Sequence, residues 1–295
     1  MALQTYLSSC IVYAPSSAKH ASGSHGSFHL RHYMSNEEWD IYLAKMAKAH
    51  KRQYGMGAGG ELKAGKYPPK MASFGSSSRL IYELSKDIDG FIFEERLDTR
   101  VGGIANLDGF LRKGNKYIYV EAKRREIYYP SHERQDIKYV YEPVYEWIKK
   151  SCSQFDFTSE EGNVENGEES NKIAFYINGR PVDYFDLKQL ICHFLGITYD
   201  IAKHPVKGVK VRFLYLLYNP EKIKDYIEKK YCNKITKRYD EVVSFITNNI
   251  PTIGDIFYAV LQYQVYTHKL EQPTIQFEFK LVDQDNYQSE LTNNK

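Results

Sequence analysis

No stretch of this chain constrains its fold more than residues 90–125, GFIFEERLDTRVGGIANLDGFLRKGNKYIYVEAKRR. Three apolar runs, each of strand length, are parted by polar breaks at Asp98–Gly103 and Lys113–Lys116. The second break holds Gly114-Asn115, a pair suited to the two central positions of a tight hairpin turn. With those residues as the loop, Lys113 faces Lys116, and counting outward sets Asp108 opposite Glu121. Side chains alternate along a strand, so Lys123 shares a face with Glu121 while Val120 and Ala122 point the other way. Two carboxylates facing one another across a hairpin repel. The pattern therefore predicts a cation between them.

Asp108, Glu121 and Lys123 resemble the signature of the PD-(D/E)xK nuclease superfamily, the restriction-endonuclease-like fold. That signature is an acid near the end of one strand and (D/E)-x-K on the next, here Glu121-Ala122-Lys123. Leu107 stands where the family name has proline, a position without a chemical role. The resemblance implies an α/β protein with a three-layer α/β/α core, a mixed central sheet and added helices. It implies a core order of helix, three strands, helix, strand. The first helix of such proteins often adds a further acid, and Glu83 is the matching position, a solvent-facing helix glutamate being the plain alternative. Gln135 and Tyr139 match the Q-x-x-x-Y pair that follows the catalytic strands in part of the superfamily, where both would touch substrate.

The chemistry these residues suit is phosphodiester hydrolysis, which needs a nucleophilic water and neutralisation of charge on the transition state. Oxygen donors favour Mg²⁺, with Mn²⁺ as the alternative. Asp108, Glu121 and the backbone carbonyl of Ala122 are the expected ligands, with Glu83 at a second position. Lys123 is a compact cation suited to the attacking water or the scissile phosphate. Arg124, Arg125 and Lys210 are the expected contacts to the backbone of DNA. The resemblance implies DNA as partner and cleavage leaving 5′-phosphate and 3′-hydroxyl ends. Restriction, repair and mobile-element nucleases all share the pattern, and the residues distinguish neither endonuclease from exonuclease nor monomer from homodimer. The alternative is a catalytically inactive nucleic-acid-binding or structural module on the same fold, against which the intact triad weighs. No HxH, HExxH or nucleophile-elbow pattern supports another hydrolase.

Context selects these three residues, because the bare pattern recurs. Glu61-Leu62-Lys63, Asp136-Ile137-Lys138, Asp186-Leu187-Lys188, Glu228-Lys229-Lys230 and Glu278-Phe279-Lys280 all fit (D/E)-x-K. Most lie in helical or loop-like surroundings, and no tight hairpin delivers an acid opposite Glu278, whose charges read as the solvated face of an edge strand.

The 295 residues, 42% hydrophobic and 26% charged, fit one large domain or a core with additions. A net charge of +3 does not announce a nucleic-acid binder, so any basic surface must be local. Cys10, Cys152, Cys192 and Cys232 are widely spaced, which excludes a zinc ribbon, a disulfide framework and the cysteine cluster of the iron–sulfur exonuclease relatives. The N-terminus lacks a basic leader and no run approaches membrane-spanning length, so a cytoplasmic protein without a membrane partner is expected.

Residues 1–75 read as an N-terminal helix and glycine-rich extension on the core, the helix capped by Ser35 or Asn36 and running through Met46. The GMGAGG run lacks the Lys-Ser/Thr of a phosphate-binding loop. Residues 76–282 read as the nuclease-like domain. It would hold a helix from Ser76–Ser78 to Lys86, a helix over 132–150 kinked or split in two by Pro143, an acidic loop at 156–171 and a strand Lys172–Ile177. A helix Asp186–Leu195 would stop at Gly196, carrying Gln189 and His193 on one face, His193 fitting a surface or packed histidine better than a DNA contact. Val209–Tyr218 is apolar at both parities and reads as the fourth core strand, buried on both faces. Basic helices are expected at Pro220–Lys230 and Lys234–Asn248, Gly254–His268 fits strand or helix, and 283–295 reads as a polar tail.

Overall fold

The hairpin at residues 104–123 forms in the counted register. In the computed structural model, which describes residues 34–56, 61–63, 69–73, 75–124, 135–165, 168–182, 185–219 and 229–292, helices α1 (Asn36–Lys45), α2 (Lys48–Met56) and α3 (Ser77–Ser85) lead into strands β1 (Ile92–Asp98), β2 (Ile104–Lys113) and β3 (Lys116–Lys123). Strand β4 (Gln135–Lys138) and helix α4 (Glu142–Ser151) precede β5 (Phe155–Glu165), β6 (Glu168–Ile177) and the two-residue β7 (Arg180–Pro181). Helix α5 (Leu187–Lys203), strand β8 (Val209–Leu217), helices α6 (Lys229–Asn248) and α7 (Ile250–His268), strand β9 (Ile275–Val282) and helix α8 (Tyr287–Thr292) follow.

Lys113 pairs with Lys116 across Gly114-Asn115. Gly114 takes φ +60°, which a first central position of a type II′ turn requires and a residue with a Cβ resists. The central sheet has five strands in the order β1-β2-β3-β8-β9. Its first half is antiparallel and its second half parallel, so the sheet is mixed. As expected, Val209–Leu217 is a central strand; Val209, Val211 and every residue from Phe213 to Leu217 are buried. The expected edge strand is β9, where Glu278 pairs with Arg212 at 2.6 Å.

Helices cover the sheet in a three-layer α/β/α arrangement. α5 and α7 pack on one another, and α5 lies over β1 and β2. Gly196 makes that approach possible: a Cβ there would come within 2.8 Å of the Leu97 Cβ and 2.9 Å of the Ala105 Cβ. The glycine expected to end this helix at Leu195 therefore lies inside it, selected by packing, and the helix continues to Lys203. α3 packs on β3 and β2, capped by Ser76, whose hydroxyl accepts from the N–H of Arg79. α1 opens with a capping box between Ser35 and Glu38.

Several expectations are corrected. Residues 135–150 do not form one helix kinked at Pro143. Gln135–Lys138 pairs with β6 as strand β4, a 3₁₀ turn spans Tyr139–Tyr141, and Pro143 sits in the first turn of α4, where its missing N–H costs nothing. The acidic segment 156–171 is not a loop but most of a hairpin, β5 with β6, in a second sheet ordered β4-β6-β5. Alternation explains it: Phe155, Phe157, Ile173, Phe175 and Ile177 are buried, with Tyr145 of α4 5.1 Å from Phe175. Residues 254–268, which fitted strand or helix, lie in α7, whose buried Ile253, Ile256, Phe257, Val260, Leu261 and Gln264 recur at helical spacing. Residues 283–292 are not a tail, since Tyr287 and Leu291 are fully buried and the Ser85 and Tyr287 hydroxyls meet at 2.8 Å. The expected helix at 220–230 falls mainly outside the described residues, as do residues 1–33 of the N-terminal extension.

Candidate functional site

The site begins where β2 and β3 part. Their ladder ends at Gly109 opposite Val120, and the next pair outward would be Asp108 with Glu121. Instead of a backbone acceptor, the Asp108 carboxylate takes the N–H of Ala122, Oδ2 at 2.8 Å. A similar gap falls on β1. Phe93 pairs with Gly109 and Glu95 with Leu107, so the skipped pair is Glu94 with Asp108. Glu94 adopts φ +56°, a left-handed conformation that costs a glutamate about 1–2 kcal/mol and breaks a strand. Three acids thus occupy counterpart positions on three neighbouring strands.

Around them lies a cavity of about 380 Å³, lined by Glu61, Lys70, Ser73, Gly75–Ser78, Glu94, Asn106, Asp108, Glu121, Lys123 and Gln189. Its floor is charged and buried. Glu121 is 3% exposed and Lys123 8%. Lys123 Nζ sits 2.8 Å from Oε1 of Glu121 and donates to Oε1 of Gln189. His193, itself 2% exposed, brings Nε2 to 3.0 Å from Oε2 of Glu121. Ser78 of α3 donates to Oε1 of Glu94 at 3.2 Å, and Lys70 pairs with the buried Glu61 at 3.1 Å.

These contacts separate the acids by charge state. Burial alone would raise Glu121, but Lys123 and then His193 overcome it, and the carboxyl is pulled down to about 2. Asp108 moves the opposite way: burial, then the charges of Glu121 and Glu94, push it well above the usual carboxylate range, against the N–H of Ala122. Glu94 is pushed up to about 7 by burial, then by Glu61, with the Ser78 hydrogen bond opposing. The site thus holds more carboxyl groups than its two lysines neutralise. Among the described residues no three His, Cys, Asp or Glu side chains are grouped so as to hold a metal ion.

A stability test follows from Glu94. Folded Glu94 keeps its proton up to about 7, whereas its ordinary value is 4.5. Between those values the folded state binds more protons than the unfolded state, so unfolding free energy falls as pH rises through the window and returns on acidification. Without divalent ions, Glu94→Gln is expected to exceed wild-type stability at pH 8 by about 1–3 kcal/mol and to match it near pH 4.5. Urea unfolding at the two pH values reads the difference; equal gaps at both would refute the buried acid.

No protein-family model, curated protein or solved structure matches this chain. The site therefore stands on its geometry.

That geometry gathers Asp108, Glu121, Lys123 and the backbone of Ala122, and it leaves other expected residues elsewhere. Glu83 is corrected. It lies beyond the serine end of α3, pairs with Lys86 at 2.8 Å and lines a separate cavity with Tyr42, His50 and Tyr82. Arg124 is corrected too: it is 2% exposed, with its guanidinium 4.5 Å from the centre of the Tyr218 ring, so it is no surface contact for DNA. Arg124→Ala should therefore lower stability by about 2 kcal/mol in denaturant unfolding and leave the DNA affinity of the folded protein alone. Lys210 is exposed but belongs to the far end of the sheet, pairing with Lys116 while Lys123 pairs with Leu217, roughly 23 Å along the strand. Gln135 and Tyr139 fall on a strand and a 3₁₀ turn, so they share no helix face. Arg125 lies outside the described residues.

Sequence reasoning missed Glu94, Glu61, Gln189 and His193. Glu94 was beyond counting, because the Asp98–Gly103 turn does not fix a register as Gly114-Asn115 does. Glu61 was set aside as a chance Glu-x-Lys. Gln189 and His193 showed their common helix face, but nothing local says which strand that face meets.

Proposed function

We propose that this protein is a divalent-cation-dependent nuclease of the PD-(D/E)xK type that hydrolyses phosphodiester bonds of DNA in the cytoplasm. The observation that carries the reading is the meeting of Asp108, Glu121 and Lys123 in one cavity where β2 and β3 part. Glu94 supplies the further acid for which Glu83 was the expectation.

The residues fit a hard cation. All the anionic groups are carboxylates, and burial beside one another pushes Asp108 and Glu94 upward, a crowding of acids that a cation would relieve. Asp108, Glu121 and the Ala122 carbonyl would hold Mg²⁺ or Mn²⁺, with Glu94 beside them. When bound, such an ion supplies a low-pKa water and offsets charge on the phosphate. Lys123 contributes the remaining positive charge. Its Nζ, poised between Glu121 and Gln189, donates to the attacking water or to a non-bridging phosphate oxygen. Burial of Glu121 and Lys123 strengthens each of these interactions relative to water.

Nicking of supercoiled plasmid with Mg²⁺ or Mn²⁺, against an EDTA control, tests the reading. Divalent-dependent conversion to open-circle and linear DNA is expected. If neither DNA nor RNA is cut with either ion, the nuclease reading fails, and a nucleic-acid-binding or structural module on the same fold takes its place.

A further inference from the structure

The cavity where β2 and β3 part holds a second glutamate–lysine pair, Glu61 with Lys70, that no step of the hydrolysis uses. Its two members differ in burial. The Glu61 side chain is 4% exposed and that of Lys70 64%, although Lys70 Nζ lies 3.1 Å from Oε1 of Glu61. Lys70 therefore stands at the cavity mouth, its amine tethered by a buried carboxylate. The backbone fixes the tether. Lys70 opens a 3₁₀ turn whose Met71 and Ala72 are buried, and the N–H of Met71 donates to the Glu61 carbonyl at 3.0 Å.

Lys123 and Lys70 mark the two ends of a row of acids. Lys123 acts on Glu121 and Asp108, whereas Glu61 and Lys70 act on Glu94. Glu121, Asp108 and Glu94 sit on β3, β2 and β1. Neighbouring strands lie about 4.8 Å apart, so the first and last of these acids are separated by roughly 10 Å. One phosphate group cannot bridge that span. The lysines also differ in what remains open to a ligand. Lys123 is 8% exposed and held by Glu121 and Gln189. An ammonium carries three N–H donors, and on a side chain as exposed as that of Lys70 the bond to Glu61 leaves the others toward water.

We infer that Lys70, aimed by Glu61, binds a second phosphate of the substrate, so that the cavity grips a polynucleotide at two phosphates and not at the scissile one alone. The inference rests on the nuclease reading above, which sets the scissile phosphate at Lys123. Four carboxyl groups line the cavity, and a polyanion entering it meets their charge. A cation at the mouth reverses the local sign where the strand enters. Trading water for a phosphate oxygen on the outer side of Lys70 leaves Glu61 paired, so the buried carboxylate is not stranded. The contact is to the backbone and carries no sequence information.

Fluorescence anisotropy of a labelled DNA duplex in EDTA, titrated with the full chain at several salt concentrations, reads the contact without cleavage. Lys70→Met should weaken binding roughly 10-fold at low salt, the worth of one charge-assisted hydrogen bond. It should also lower the slope of log affinity against log salt by about 1, equally for duplexes of unrelated sequence. Lys70→Arg, which keeps the charge, should restore both. An ion pair with a purely structural role would move the melting temperature and leave the salt slope alone. Lys70→Met takes from buried Glu61 its cationic partner at 3.1 Å. Should that variant not fold, the double change Glu61→Gln with Lys70→Met removes both charges and should show the same loss of slope. An unchanged slope in the variant that folds, with wild type binding DNA, overturns the inference while plasmid nicking by wild type keeps the nuclease reading. A wild-type protein that binds no DNA overturns the inference together with that reading.

Discussion

Asp108→Asn, Glu121→Gln and Lys123→Ala should each lower divalent-dependent DNA cleavage by roughly 10³-fold or more, the scale expected for groups that act chiefly on the transition state. Glu94→Gln should join them, and Glu83→Gln should cut at the wild-type rate, because Glu83 opens onto a different cavity from the other acids. The Asp108 and Glu94 changes should leave folding intact. Asp108 and Glu94 are already pushed toward the protonated form by burial and by their acidic neighbours, so an amide in either place removes repulsion. Lys123→Ala and Glu121→Gln differ: each breaks the buried Glu121–Lys123 pair by removing one member, so some stability is lost as well. Gel assays of cleavage with thermal melts of the same preparations separate the two effects. Wild-type rates in folded Lys123→Ala would remove Lys123 from the chemistry. A Glu83→Gln variant as inactive as Asp108→Asn would overturn the assignment of the further acid to Glu94.

Gly196→Val is expected to be the most damaging single change far from the acids, costing about 3 kcal/mol or more. Even the Cβ of alanine would fall within 2.8 Å of Leu97 and 2.9 Å of Ala105, inside van der Waals contact, and both neighbours are themselves core residues of β1 and β2. Relief requires α5 to lift from the sheet, and overpacking of this kind costs about 1–3 kcal/mol per intrusion. The helix propensity that valine gains over glycine, about half a kcal/mol, does not offset this. Lifting α5 also withdraws Gln189 and His193 from Lys123 and Glu121, so cleavage should fall by more than the folded fraction does. Denaturant unfolding and activity per folded molecule check the two halves. A Gly196→Val protein of wild-type stability would mean that α5 is not seated as described.

The sequence by itself determined the local parts. A two-residue Gly-Asn turn admits one register, and that register brought Asp108 and Glu121 to counterpart positions with Lys123 beside them. The apolar run Val209–Leu217 could only be a strand covered on both faces, and Ser35 and Ser76 marked helix starts through hydroxyls that satisfy free N–H groups. Each of these rests on residues within a few positions of one another, where chain geometry leaves little choice.

Only the tertiary structure decided which distant residues meet those parts. Gly196 reads as a helix stop until Leu97 and Ala105 are seen against it, and the acidic stretch 156–171 reads as a loop until Phe157 and Phe175 are seen under Tyr145. Arg124 reads as a surface cation until Tyr218 stacks on it. Glu94 and Glu61 gain their place because strand β1 and the residues Glu61, Lys70 and Ser73 close on the hairpin, and His193 because the distant helix α5 crosses over it. Burial and long-range electrostatics depend on the sum of such contacts, and no short window of sequence contains that sum.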